Sequence, residues 1–290
     1  MFNKMKKLLS VGAVVASAAV LLTGCGGGSQ QAASSSGSAA QEISGKISAS
    51  GSTALLPLLK PAQEAFQDKY EKVTVNVAGG GSFTGMNQVA EGSVQIGNSD
   101  VNLPDEYKDK GLVDHKVVVE PFVFIVDKAN KVDNLTKQQA IDILTGKITN
   151  WKEVGGDDQP ITLIHRAKSS GSRATIADVV LKGASFTDNA VIQDSNGAVR
   201  AAIASTPGSI GYVDAPYAVD SVKVLKFDGV EYSPQNIIDG KYPIYGYGHM
   251  YTKGEPTGAV KAFIDYILSD EFQNTQVEKL GFIPVNKMKK

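Results

Sequence analysis

Arg166, Ser170, Gly171 and Ser172 lie within one short segment and share a chemistry. Arginine offers a planar fork of N–H donors matched to phosphate-like oxygens, and serine hydroxyls can donate to the same atoms. Glycine lets the backbone itself approach closely. The segment runs ITLIHRAKSSGSRAT from Ile161 to Thr175. Its apolar β-type start, its small-residue turn, and the spacing of Ala174, Ile176, Ala177, Val180 and Leu181 predict a strand, a turn and a helix N-terminus. The first N–H groups of a helix lack internal partners and lie at the positive end of its dipole, so such a turn can hold an anion. The plainer alternative is a Ser-capped helix beside a solvated arginine.

Three earlier strand ends have the same character. Lys46–Ser50 predicts a strand and Gly51-Ser52-Thr53 a turn, followed by a helix carrying Leu55, Leu58, Leu59, Ala62, Ala65 and Phe66. Pro57 is tolerated in its first turn, whereas Pro61 is expected to kink or restart it. Val73–Val77 predicts a second strand that ends at Gly79-Gly80-Gly81-Ser82, before a helix over about Gly85–Glu91. Val94–Gly97 predicts a third, ending at Asn98-Ser99-Asp100. Ligands of open α/β sheets sit beyond the carboxyl ends of the strands. These turns and the Arg166 segment are therefore candidates for one site.

Val117–Asp127, VVVEPFVFIVD, is a long β-rich run broken by Pro121, read as a strand crossing from one lobe to another. Tyr242–Tyr251, YPIYGYGHMY, is a second crossing run. Between them lies another βα set, with helices near Thr136–Leu144 and Gly197–Ala204, a strand Ile210–Val213, and a hairpin from Val222 to Phe227 turning at Asp228-Gly229. Helices over about Gly258–Leu268 and Asp270–Leu280 are expected to pack back on the first lobe. Two crossings predict a discontinuous first lobe, 46–122 with 252–290, a continuous second lobe, 123–251, and a hinge between them.

The N-terminal end has other work. Lys4, Lys6 and Lys7 precede Leu8–Leu22, which is apolar apart from Ser10, Gly12 and Ser17. That length is short for a membrane span and typical of a signal peptide, so residues 1–24 are expected to be removed. Leu22-Thr23-Gly24-Cys25 looks like a bacterial lipobox, which would make Cys25 the lipidated N-terminus. It is the only cysteine in the chain, so no internal disulfide can form. Residues 26–45, rich in Gly, Ser, Ala and Gln, predict a flexible tether with a reach of roughly 25 Å. The 290 residues carry 29 basic and 30 acidic side chains, and loss of residues 1–24 removes three lysines and leaves a net charge of −4. Such a chain has no general basic field, which argues against nucleic acid and anionic lipid surfaces as partners. Any anion must be held by local donors.

These residues resemble the phosphate-binding lipoproteins that feed bacterial high-affinity phosphate ABC importers. The resemblance covers nearly all of residues 46–290. It rests on Ala49-Ser50-Gly51-Ser52-Thr53, Gly79-Gly80-Gly81-Ser82, Ser99-Asp100, and Leu135-Thr136 through Gly146-Lys147-Ile148-Thr149-Asn150-Trp151 to Val154-Gly155-Gly156. Arg166 with Ser170-Gly171-Ser172, and Gly208-Ser209-Ile210-Gly211-Tyr212, complete it. GKITNW is the most specific of these segments. The resemblance implies a type II periplasmic-binding-protein-like α/β fold, with a mixed sheet and flanking helices in each lobe and two crossover strands as hinge. It implies phosphate contacts from Thr53, the Ala54 backbone and Ser82, a proton accepted from the ligand by Asp100, and closure by Arg166, Ser170, Gly171 and Ser172. One departure is Lys168, where the family often carries an acid that could restrain the arginine. The implied partners are inorganic phosphate, the membrane permease subunits of an ABC importer, and the membrane itself through the lipid anchor. A monomer without metal or cofactor is expected.

Rival readings come from other classes. Phosphate-ester hydrolysis would need a nucleophile beside a base, with Ser170 and His165 as the candidate pair, or a metal cluster. His115, His165 and His249 are scattered without metal-ligand spacing, and a structural or solvated role is expected for each. A surface adhesin or sensor, or a site for sulfate, could use the same fold. Trp151, Tyr242, Tyr245, Tyr247 and Tyr251 are expected to pack, and Lys168 and Arg173 to be solvated or steering charges.

Overall fold

A computed structural model describes residues 42–288. The signal-peptide and lipobox readings, and nearly all of the tether, lie outside the described residues. The chain alternates strand and helix from its start: β1 (Gly45–Gly51), α1 (Leu56–Lys69), β2 (Val73–Gly79), α2 (Ser82–Glu91) and β3 (Ile96–Ser99). The long β4 (Leu112–Val126) follows, then the short β5 (Asn134–Leu135) and α3 (Lys137–Leu144). Next come β6 (Thr162–Arg166), α4 (Gly171–Ile176), β7 (Val191–Gln193), α5 (Asn196–Ser205) and β8 (Ser209–Asp214). Two-residue strands β9 (Lys223–Val224) and β10 (Lys226–Phe227) precede α6 (Pro234–Ile238), β11 (Tyr245–Lys253), α7 (Gly258–Leu268) and α8 (Asp270–Phe272).

One mixed sheet runs in the order β2-β1-β3-β11-β4-β8-β6-β7, with β9 beside the end of β4. The outer groups β2-β1-β3 and β8-β6-β7 are parallel within themselves. β11 and β4 lie antiparallel between them and join the groups. β4 changes partner along its length: Leu112–Pro121 pairs with β11, and Phe122–Val126 with β8. Its residues Val117 to Val126 are all buried, as expected of a strand covered on both faces. Two cores result. Ile47, Leu58, Phe66, Val75, Ile96, Val118, Phe263 and Phe282 pack in one. Phe122, Phe124, Trp151, Ile164, Val199, Tyr212 and Tyr242 pack in the other. Ala259, Phe263, Ile264, Ile267 and Phe272, from the last helices, return to the first core.

Two local expectations need correction. α1 passes through Pro61 as a single helix rather than restarting there. A proline removes one backbone hydrogen bond, but this helix buries Leu58, Leu59, Ala62 and Phe66 along one stripe, and that packing outweighs the loss. The turn at Asp228-Gly229 forms, with both residues at positive φ, yet the hairpin shrinks to a single Phe227–Val230 bridge. Its first strand splits, with Lys223–Val224 joining β4 and Lys226–Phe227 joining β5. Burying Leu225 and Phe227 in the second core is the gain.

GKITNW acts as a local brace. Gly146 adopts the left-handed conformation that ends α3, and Asn150 and Glu153 form a reciprocal capping box. Trp151 is buried as expected, its Nε1 donating to the Gly208 carbonyl at 2.9 Å. Tyr242 and Tyr251 are likewise buried, with hydroxyls donating to the Phe122 and Val101 carbonyls at 3.0 Å each. Tyr245 and Tyr247 pack edge to face.

Candidate functional site

The turn after β1 places Ser52, Thr53 and Ala54 at the carboxyl end of the sheet, where the Ser52 hydroxyl accepts the N–H groups of Ala54 (2.9 Å) and Leu55 (3.2 Å). The Ala54 N–H thus has a partner within its own turn. Ser82 opens α2, and its hydroxyl accepts the Asp100 N–H at 3.0 Å. From the other core, β6 ends at Arg166 and Ser170 caps α4 by accepting the Arg173 N–H at 3.2 Å. Gly171 and Ser172 follow at once. The structure brings the eight ligand-site residues expected from the sequence into one buried cluster, while Cys25, the lipidation candidate, lies outside the described residues.

The halves meet closely. Ser172 Oγ donates to Asp100 Oδ2 at 2.9 Å, and the Phe83 N–H donates to the Ser169 carbonyl at 3.1 Å. A Cβ on Gly171 would stand 2.2 Å from Ser82 Oγ and 2.9 Å from the Asp100 Cβ, so only glycine fits there.

The charges are not fully matched inside the protein. Arg166 is 1% exposed, and only its Nη2 is engaged, donating to the Asp194 carbonyl at 2.9 Å. Its Nε and Nη1 have no protein partner, and neither has Asp100 Oδ1. That backbone carbonyl restrains the guanidinium in place of the acid expected two residues on, and Lys168 is exposed. Burial pushes the Asp100 carboxyl above its ordinary range, opposed by the nearby Ser52 and Ser172 hydroxyls, by the Arg166 charge and by Ser82. Burial likewise works against the Arg166 charge, with Asp100 the main support for it.

Several residues here escaped sequence reading. Asn196, the first residue of α5, places Nδ2 3.1 Å from Thr53 Oγ1, and the Tyr217 hydroxyl donates to the Thr53 carbonyl at 2.6 Å. Glu120 and Asp214, on β4 and β8, are fully buried with no side-chain partner, and burial together with the Asp100 charge raises both well above the usual carboxylate range. The one sequence signal was Glu120 itself, an acid inside an otherwise apolar run. Arg173 is not a solvated charge. Its Nη1 donates to the Arg166 carbonyl at 3.0 Å and to His165 Nδ1 at 2.6 Å, and its guanidinium lies over the Phe186 ring. His165 stacks on Phe186 and, held by burial and the Arg173 charge, has its pKa lowered to about 4.

Neutral hydroxyls, an arginine with two unpartnered nitrogens and one unpartnered carboxylate oxygen are groups that can hold a tetrahedral oxyanion carrying a proton. A cavity of about 410 Å³ opens beside it, lined by Phe83, Asp100, Thr175, Tyr245 and Tyr247, but Arg166 does not border it. Among the described residues, no three His, Cys, Asp or Glu side chains gather to hold a metal.

One sheet threaded through two cores, with buried polar residues where its strand ends meet, defines a two-lobed protein of the periplasmic-binding-protein type. The model of the PBP superfamily domain matches residues 33–271. The phosphate-binding protein PstS of Bacillus subtilis is 44% identical over 252 residues, covering 86% of this chain and 84% of that protein. A Clostridium perfringens substrate-binding protein assigned to a phosphate ABC transporter, solved with bound phosphate, superposes with a TM-score of 0.80 at 36% identity over 83% of this chain and all of that one. An ABC-type phosphate transport receptor from Vibrio cholerae gives 0.67 at 25% identity, over 82% of this chain and 99% of its own. The chain belongs to the PBP superfamily and, within it, to the family of phosphate-binding proteins called PstS.

Proposed function

We propose that this protein captures inorganic phosphate between its two lobes and delivers it to the permease subunits of an ABC importer. The observation that carries this reading is the pairing of Arg166, with two unpartnered nitrogens, and Asp100, with one unpartnered oxygen, in a buried polar cluster. The relatives agree with it, being named phosphate-binding proteins, and one was solved with phosphate bound.

In this reading Arg166 donates to the anion from N–H groups that have no protein partner. Thr53, Ser82 and Ser170 donate hydroxyl protons, the backbone N–H groups of Gly171 and Ser172 contribute, and that of Ala54 does so when the ligand displaces the Ser52 hydroxyl. Asp100 accepts the proton that phosphate keeps near neutral pH. Residues 46–122 with 252–290 form one lobe and 123–251 the other, hinged where β4 changes partner. Closure around a ligand is a common motion of such proteins.

No catalytic step is assigned. A nucleophilic Ser170 would need His165 as its base, but both ring nitrogens of His165 face Arg173 Nη1, at 2.6 and 3.3 Å. The protein works outside the cytoplasm as a monomer, tethered through lipid on Cys25. Among the described residues, no helix is long and apolar enough to cross a membrane. Two acyl chains hold a protein stably at a bilayer where one does not, so Cys25→Ser should move the protein from the membrane to the soluble fraction without altering phosphate affinity.

Equilibrium dialysis of the protein against labelled phosphate tests the proposal. Saturable one-to-one binding that excess sulfate does not displace is expected, and absence of binding would overturn it.

A further inference from the structure

Asn196 is bonded to both halves of the candidate site, and its orientation is fixed. The Asp214 N–H donates to Asn196 Oδ1 at 3.0 Å, which settles which end of the amide is the oxygen. The Nδ2 end therefore faces the site, 3.1 Å from Thr53 Oγ1 and 3.4 Å from Ser172 Oγ. The Asn196 backbone N–H also reaches Thr53 Oγ1, at 3.3 Å. The residue is fully buried, so water does not compete for these bonds.

The consequence is a direction for every proton in the network. A hydroxyl has two lone pairs and one hydrogen. Thr53 Oγ1 already accepts two N–H groups, so its hydrogen must leave in a third direction, and it meets no acceptor among the described residues. Ser172 Oγ accepts from Asn196 and passes its own hydrogen to Asp100 Oδ2. That leaves Asp100 Oδ1 as the carboxylate oxygen without a protein donor.

We propose that Asn196 is a positioning residue that sets hydrogen-bond polarity on both sides of the cleft, making Thr53 an obligatory donor to the anion and keeping Ser172 a donor to Asp100. This inference rests on the phosphate-site reading above. Neither Gln nor Asp can replace Asn196 on this account. Gln carries its amide too far, and a carboxylate would accept the Thr53 and Ser172 protons, reversing the network beside an anion.

The test compares phosphate affinity of the full chain and of its Asn196→Ala and Asn196→Asp variants by calorimetry between pH 5 and pH 8. Asn196→Ala should weaken binding about tenfold or more and follow the wild-type pH profile. Asn196→Asp should be weaker still at pH 8. It should recover relative to Asn196→Ala as pH falls, because the introduced carboxyl regains a donor proton. Asp100, Asp214, Glu120, Arg166, Tyr212 and Tyr217 are common to all three proteins, so the comparison isolates the introduced group. Should Asn196→Ala fail to fold, as judged by melting without phosphate, Thr53→Val takes its place as the pH reference. Variants that bind like wild type, or an Asn196→Asp profile parallel to the reference, would overturn the proposal. A wild-type protein that binds no phosphate would instead remove the reading on which it rests.

Discussion

Gly171 and Ser82 approach so closely that a single added carbon on the glycine would lie 2.2 Å from the serine hydroxyl oxygen. The two residues open helices in opposite halves of the molecule, and the missing side chain is what lets those helix starts meet.

Gly171→Ala should therefore hold the halves apart. Overpacking of this kind costs on the order of 1–3 kcal/mol, here opposing closure, so phosphate affinity should fall about fivefold to 150-fold. Melting without phosphate should change little if the halves can separate. Small-angle scattering with and without phosphate checks the idea: wild type should contract, and the variant should not.

Arg166 and Ser82 should differ in weight. Removing one partner of a buried, hydrogen-bonded charge pair costs about 2–5 kcal/mol, whereas losing a neutral hydroxyl donor costs nearer 1 kcal/mol. Arg166→Ala should thus weaken phosphate binding by at least tens-fold, and Ser82→Ala by about fivefold. Equal losses in a calorimetric titration would contradict the assigned roles.

His165 should make stability depend on acid. Its folded pKa of about 4 lies below the unfolded value near 6.5, so the unfolded chain binds more protons between these limits. Its contribution to stability is complete above about pH 6.5 and is lost as pH falls toward 4. Relative to wild type, His165→Gln should lose less stability over that window. The raised carboxyls Asp100, Glu120 and Asp214 act in the opposite sense, but they are common to both proteins. Denaturant midpoints at pH 7 and pH 4.5 supply the comparison, and equal shifts in the two proteins would contradict it.

Much of the frame was legible because its signals are local. Strand ends in small polar residues marked Ser82, Asp100 and Ser170, and the long apolar run ending in Val126 marked the strand common to both cores. The family motifs then pointed to eight residues that the fold gathers. What stayed hidden depends on long-range contact. Asn196 meets Thr53 across 143 positions of sequence, and its turn reads as an ordinary helix start. Arg173 reads as solvated because nothing nearby in sequence shows that Phe186 will lie beneath it. The split of the 222–227 hairpin likewise depended on β4 and β5 offering better edges than the hairpin offered itself.

We propose that Asp100 selects an oxyanion that brings a proton. Phosphate near neutral pH can donate to its free oxygen, whereas sulfate meets only lone pairs and like charge. A site built to bond one ligand group rejects the analogue lacking it by about 10⁴–10⁵-fold, and built-in repulsion is one route to that ratio. Asp100→Asn removes the repulsion, keeps an oxygen acceptor and adds an amide donor. Calorimetric titration of both anions into wild type and Asp100→Asn is the most direct test. A modest change for phosphate, a large gain for sulfate and a much smaller ratio between them are expected. A variant that still excludes sulfate as strongly as wild type would contradict it.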